Sequence, residues 1–171
     1  MHTDVALGDD PHFSVMLPSK KMLCFSVQGD HGFHYNLIGN KQLVMNAKFV
    51  PDSRREEVTW IGSLGIIIHG SKYSAYNKTS IRLEAIPPAI SINNDLKVHP
   101  DNIELITVAN GKLRISESKN MNNGFKYPSV KFNVADISFS VIFKHEHLDL
   151  FWQGTRQQIE NSHGLIGMLI T

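Results

Sequence analysis

An aspartyl–prolyl bond at Asp10-Pro11, with Asp9 before it and His12 and Phe13 after it, carries the most reactive chemistry in the chain. The Asp10 side-chain carboxyl can reach its own backbone carbonyl and close a five-membered ring. The departing nitrogen is that of proline, a tertiary amide that takes up a proton more readily than an ordinary one. Its departure leaves a cyclic anhydride, an activated acyl group that water or a hydroxyl opens. His12 is the nearest proton source, since imidazole titrates near neutral pH. The neighbouring charge of Asp9 disfavours ionisation of Asp10, which matters to a group that must attack or share a proton. The same residues also suit a solvated acidic turn leading into a first strand, because the residue before proline is held extended.

Other constellations are weaker. Lys144-His145-Glu146-His147 sets two imidazoles at i and i+2, on one face if a strand continues through them. A zinc site would need a third ligand within reach, and Asp149 does not complete one. A solvated strand end therefore ranks above a metal-dependent hydrolase built on His145 and His147. Ser162-His163 and Gly62-Ser63-Leu64-Gly65 lack the spacing of a nucleophile elbow and read as structural. There is no phosphate loop or dinucleotide fingerprint, so no cofactor is expected. Cys24 is the single cysteine; it is a buried thiol or the partner of a cysteine elsewhere in a longer protein. Asn77-Lys78-Thr79 is a sequon, which makes Asn77 a glycosylation candidate in a secreted protein.

What must position these groups is a β-domain. With 171 residues the chain fits one domain, with residues 1–8 as a loose lead-in and 9–171 as the folded unit. A formal charge of +1 argues against a nucleic-acid footprint or a polybasic membrane patch, and no apolar run suits a membrane span. The first residues, MHTDVALGDD, lack the basic start and apolar centre of a secretion signal. Apolar residues recur with period two at Phe13, Val15 and Leu17, at Ile81, Leu83 and Ala85, at Leu113 and Ile115, and at Ile137, Phe139, Val141 and Phe143. These are half-buried strands. Trp60–His69 suits a central strand, with Gly62 and Gly65 permitting bulges or close packing. Asn110-Gly111 predicts a hairpin turn joining Glu104–Val108 to Lys112–Ser116. Helix is confined to single exposed turns at residues 54–57 and 157–161. Trp60, Trp152 and most phenylalanines read as core. The expectation is an all-β fold, an antiparallel β-sandwich of about ten short strands.

Several islands, in order, resemble the C-terminal region of inter-α-trypsin inhibitor heavy chains. They are Asp10-Pro11-His12-Phe13, Leu23-Cys24-Phe25, Asn36-Leu37, Val44-Met45-Asn46, Gly62-Ser63-Leu64-Gly65-Ile66, Leu83-Glu84, Ile90-Ser91-Ile92 and His163-Gly164-Leu165-Ile166-Gly167. The resemblance implies a secreted, extracellular propeptide domain. It implies cleavage between Asp10 and Pro11, with Asp10 then esterified through its main-chain carboxyl to a chondroitin sulfate hydroxyl and passed on to hyaluronan. His12 would assist departure of the Pro11 nitrogen, and the β-domain would strain and desolvate the junction. Implied partners are chondroitin sulfate, hyaluronan, the upstream heavy-chain domains and, through the glycan, a Kunitz-type inhibitor chain. Asp9 stands where that family usually has glycine, with Gly8 one place earlier, and the family's late cysteine has no counterpart to pair with Cys24. Two alternatives stay open. One is an extracellular module of the von Willebrand type D kind, which shares the Gly-Asp-Pro-His-Phe opening. The other is an adhesive β-sandwich whose Asp-Pro bond is inert.

Overall fold

Alternating side chains form strand wherever one face can be buried, and they do so in thirteen strands among the described residues. The computed structural model describes residues 12–16, 22–26, 32–54, 59–69, 78–101, 104–108, 111–117, 127–134, 137–153 and 163–164. β1 (His12–Met16) and β2 (Met22–Ser26) are an antiparallel pair. β3 (His34–Gly39), β4 (Leu43–Pro51), β5 (Thr59–His69), β6 (Lys78–Glu84), β7 (Ala89–Ile92) and β8 (Leu96–Val98) follow as one antiparallel meander. β9 (Glu104–Val108), β10 (Gly111–Glu117), β11 (Pro128–Val134), β12 (Ile137–Phe143) and β13 (Leu148–Gln153) make a second. Among the described residues there is no helix, and none long and apolar enough to cross a membrane.

The meanders join at β5. One edge of β5 pairs with β4 along its length. The other pairs with β6 from Ser63 to His69 and with β13 at Ile61, opposite Leu148. One edge thus serves two strands, and the sheet curls where they part. β1 then adds in parallel to the remainder of the β13 edge that β5 meets at Leu148. The result is an all-β, mostly antiparallel curled sheet. Thirteen strands lie among the described residues where about ten were expected, since strands as short as β8 hold too few residues to display alternation. The predicted helical turns lie mostly outside the described residues.

One core cluster draws on both meanders. Met45, Ala47 and Phe49 of β4, Leu64, Ile66 and Ile68 of β5, and Ile81 and Leu83 of β6 are buried with Val130, Phe132, Phe139, Val141, Leu148 and Leu150. Each large apolar side chain so buried contributes roughly 1.5–3 kcal/mol. The residues between them, such as Asn46, Lys48, Ser63, Gly65 and Arg82, line the opposite face of the sheet. β3 breaks this rule, since Leu37, Ile38 and Gly39 are all buried. A register shift against β4 between Asn36 and Ile38 lets two successive side chains turn inward.

Local signals hold with small shifts. Gly62 falls at the irregularity where Lys48 pairs with Ser63 but Phe49 with Ile61, and a Cβ there would lie 2.5 Å from Val50 Cγ1. The β9–β10 hairpin forms, but Gly111 pairs with Val108 and is the first strand residue. The turn register is therefore one place earlier than Asn110-Gly111 predicts. Glycine fits the ladder as well as a turn, so sequence alone did not separate the two positions. Between β7 and β8, Asn93 and Asn94 take φ of 52° and 62°, a region asparagine tolerates.

Candidate functional site

The polar run after β12 reverses the chain. β12 and β13 pair as far as Phe143 and Leu148, and the Lys144 N–H donates to the His147 carbonyl at 2.9 Å. His145 and Glu146 are left as exposed loop residues. The strand ends at Phe143 and the turn parts His145 from His147, so the run is the solvated strand end that ranked first in the sequence and the shared strand face does not form. His145 stands edge-on to Tyr127, with ring centroids 5.5 Å apart. His147 stacks on Trp60 at 4.2 Å and 18°. Among the described residues no three His, Cys, Asp or Glu side chains gather as a metal site would require.

Trp60 was expected in the core but is only half-buried, because its indole must reach a polar partner. Its N–H donates to Asp52 Oδ2 at 3.1 Å. Asp52 Oδ1 accepts from the Arg54 backbone N–H at 2.7 Å, closing a local turn, and the Arg54 side chain lies 3.5 Å away. Asp52 is 3% exposed. The Arg54 backbone hydrogen bond, followed by that of Trp60, holds its carboxyl below the usual value of 3.8 despite burial.

A second carboxylate anchors the other ring of the stack. His147 Nε2 lies 3.3 Å from Asp149 Oδ1, and Lys144 Nζ lies 4.0 Å from Asp149 Oδ2. Lys144 also stands 4.3 Å over the Tyr127 ring. Across the turn, Ser53 donates to Glu146 Oε2 at 2.7 Å. His147 is therefore a positioned imidazole, held by a carboxylate on its edge and an indole on its face. Such a group can donate or accept a proton in a fixed direction.

β1 reaches β13, the strand that carries Asp149. His12 opens β1, opposite Ser26 of β2. On its other edge β1 runs parallel to β13, with Phe13 beside Leu150. The pairing begins at Phe13 and Leu150, one residue short of His12 and Asp149, and at Leu148 the same edge of β13 meets Ile61 of β5. Asp10, Pro11 and Asn77 lie outside the described residues. Cys24 sits in β2, opposite Ser14.

Sequence reasoning missed Asp149, Trp60 and Asp52 as members of this cluster. The period-two spacing of His147 and Asp149 signals a shared face, but nothing in it points to Trp60, which is distant in sequence. Asn36, Asn46 and Gly65 fall on neighbouring strands of the first meander, which His163 joins at Gly39. Asn36 Nδ2 donates to Asn46 Oδ1 at 2.8 Å, Asn46 pairs with Gly65, and His163 forms a bridge with Gly39. No protein-family model matches the chain.

Proposed function

We propose that the chain is the C-terminal, propeptide-type domain of a secreted inter-α-trypsin inhibitor heavy chain, and that it supports cleavage at Asp10-Pro11 and ester transfer to chondroitin sulfate and then hyaluronan. In this reading the scaffold is a two-layer sandwich, with β3–β8 as one layer and β1, β2 and β9–β13 as the other. The observation that supports it is the parallel pairing of β1 with β13, Phe13 beside Leu150, which joins the strand that His12 opens to the strand that carries Asp149, the partner of His147.

The chemistry balances without a cofactor. The Asp10 carboxylate attacks the Asp10 main-chain carbonyl carbon, and the C–N bond to Pro11 breaks as the nitrogen takes a proton from an imidazole, His12 or His147. The resulting anhydride is opened at the main-chain carbonyl by a glycan hydroxyl. The ester forms, the hydroxyl proton returns to the imidazole, and the side-chain carboxylate is regenerated. The protein turns over once and is not an enzyme in the ordinary sense.

Intact mass after incubation with chondroitin sulfate tests this. Loss of residues 1–10, or their recovery as a glycan ester, is expected, and Asp10→Ala should abolish both. An intact wild-type chain, in the presence of its upstream heavy-chain domains, would sink the reading.

A further inference from the structure

The outer face of β4, β5 and β6 contains a shallow groove of about 360 Å³ lined by His34, Asn46, Lys48, Ser63, Ser80 and Arg82. Its floor is Gly65, where a Cβ would meet nothing within 4 Å. The missing side chain makes the depression, and no packing need explains the glycine.

We propose that this groove binds a segment of sulfated or carboxylated polysaccharide non-covalently. The site deepens the glycan reading above and rests on it. The rows of the sheet set the polar groups side by side, since Asn46 pairs with Gly65 and Gly65 with Arg82, while Lys48 pairs with Ser63. Asn46 and Arg82 flank the glycine directly, and Lys48 lies diagonally across from Arg82, roughly 12 Å away by strand spacing and rise, with Glu84 facing Lys48 across Ser63.

The groups are arranged as donors. Asn46 Oδ1 is occupied by the Asn36 amide, so the group Asn46 offers outward is its own NH₂. The Asn36 amide orientation is fixed, because its nitrogen also faces the carbonyls of Ile38 and Met45. The contact of Arg82 with Glu84 is made through Nε, which leaves its terminal nitrogens for a ligand. Lys48 has no carboxylate partner among the described residues. Two cations, an amide N–H₂ and two hydroxyls facing one open trough suit a chain that bears both anionic groups and hydroxyls.

Other polymers fit less well. Among the described residues the groove lining contains no Trp, Tyr or Phe on which a nucleobase could stack. β4 and β5 are hydrogen-bonded on both edges, so an extended peptide finds no free strand edge there.

The test uses the full chain carrying Asp10→Ala, so that whatever binds does so without an ester. A chondroitin sulfate oligosaccharide is titrated by calorimetry at two salt concentrations. Salt-sensitive binding is expected, weakened about tenfold or more by Lys48→Ala and by Arg82→Ala. Gly65→Val fills the trough with a side chain suited to a strand. It should leave the thermal midpoint unchanged or higher while abolishing binding. No binding by the parent, equal binding by all variants, or equal binding of a poly-glutamate of matched charge would each overturn the proposal. Scission of the wild-type chain is read separately by mass. Its failure with groove binding intact removes the processing step and leaves the groove.

Discussion

His163 and Gly39 exchange both backbone hydrogen bonds, at 2.9 Å each, and the imidazole lies where a Gly39 side chain would stand. This bridge ties the C-terminal region to the end of β3. The next residue makes the tie specific. Gly164 has φ of +94°, and a Cβ on it would fall 2.7 Å from the Leu37 carbonyl oxygen. Gly39→Ala meets only the ring of an exposed histidine, which can swing aside. Gly164→Ala meets backbone and a disfavoured φ together. We expect Gly164→Ala to cost about 2–4 kcal/mol and Gly39→Ala about 1 kcal/mol or less, read by denaturant unfolding. The reverse order would mean that the contact does not hold the native chain.

Asn36 is a second point where chemistry permits one residue. Its Nδ2 faces three acceptors, the Ile38 and Met45 carbonyls and Asn46 Oδ1, while its Oδ1 is buried without a hydrogen-bond partner. Asn36→Asp would set a carboxylate among those oxygens with no donor to answer it. A loss of about 2–4 kcal/mol is expected, larger than for Asn36→Ala, which removes the donor without adding a charge. Equal losses in the two variants, compared by urea melts at neutral pH, would rule the argument out.

Asp52 gives a prediction for acid. Its folded carboxyl is held below 3.8 by the Arg54 backbone N–H and the Trp60 indole. A carboxylate with a depressed folded pKa binds its proton more weakly in the folded state. The stability it adds is therefore fully present above the unfolded value near 4 and is lost as pH falls below it. Asp52→Asn should lower the thermal midpoint at pH 7, and the gap to wild type should narrow steadily from pH 5 to pH 2. Trp60→Phe should show a smaller version of the same trend, since it removes one of the two hydrogen bonds. A gap independent of pH would show that packing, and not charge, explains the residue.

The strand framework was legible because burial on one side writes itself into alternation, as in Ile81, Leu83 and Ala85 or Phe139, Val141 and Phe143. β5 was legible as a central strand because its apolar run is nearly continuous. What alternation does not encode is pairing between distant strands. The parallel contact of β1 with β13 and the sharing of a β5 edge between β6 and β13 depend on the curl of the whole sheet. Trp60 read as core for the same reason, since its polar edge is satisfied by Asp52 across a turn that periodicity cannot see. Bond chemistry alone singles out Asp10-Pro11 in the sequence, whereas the stack of His147 on Trp60 was not legible there.

That imidazole decides the final prediction. Pro11 leaves as an amine only if its nitrogen is protonated as the bond breaks, and correctly placed proton transfer is worth roughly 10²–10⁴-fold in rate. His12 is close to Pro11 by sequence. His147 immediately precedes β13, the strand on which β1 pairs, and it is oriented by Asp149 at 3.3 Å and by the Trp60 face at 4.2 Å. If His147 is the donor, His147→Gln should slow scission about 10²-fold while leaving the thermal midpoint close to that of wild type. Asp149→Asn should slow it less, because the ring survives but loses its anchor, and Trp60→Phe should keep most of the rate because a stacking face remains. If His12 is the donor, His12→Gln gives the large loss and all three changes at the turn give small ones. Rates from intact mass over time distinguish the two patterns. A chain that cleaves at full rate with both histidines replaced would require the proton to come from solvent, and the turn would then be only a structural stack.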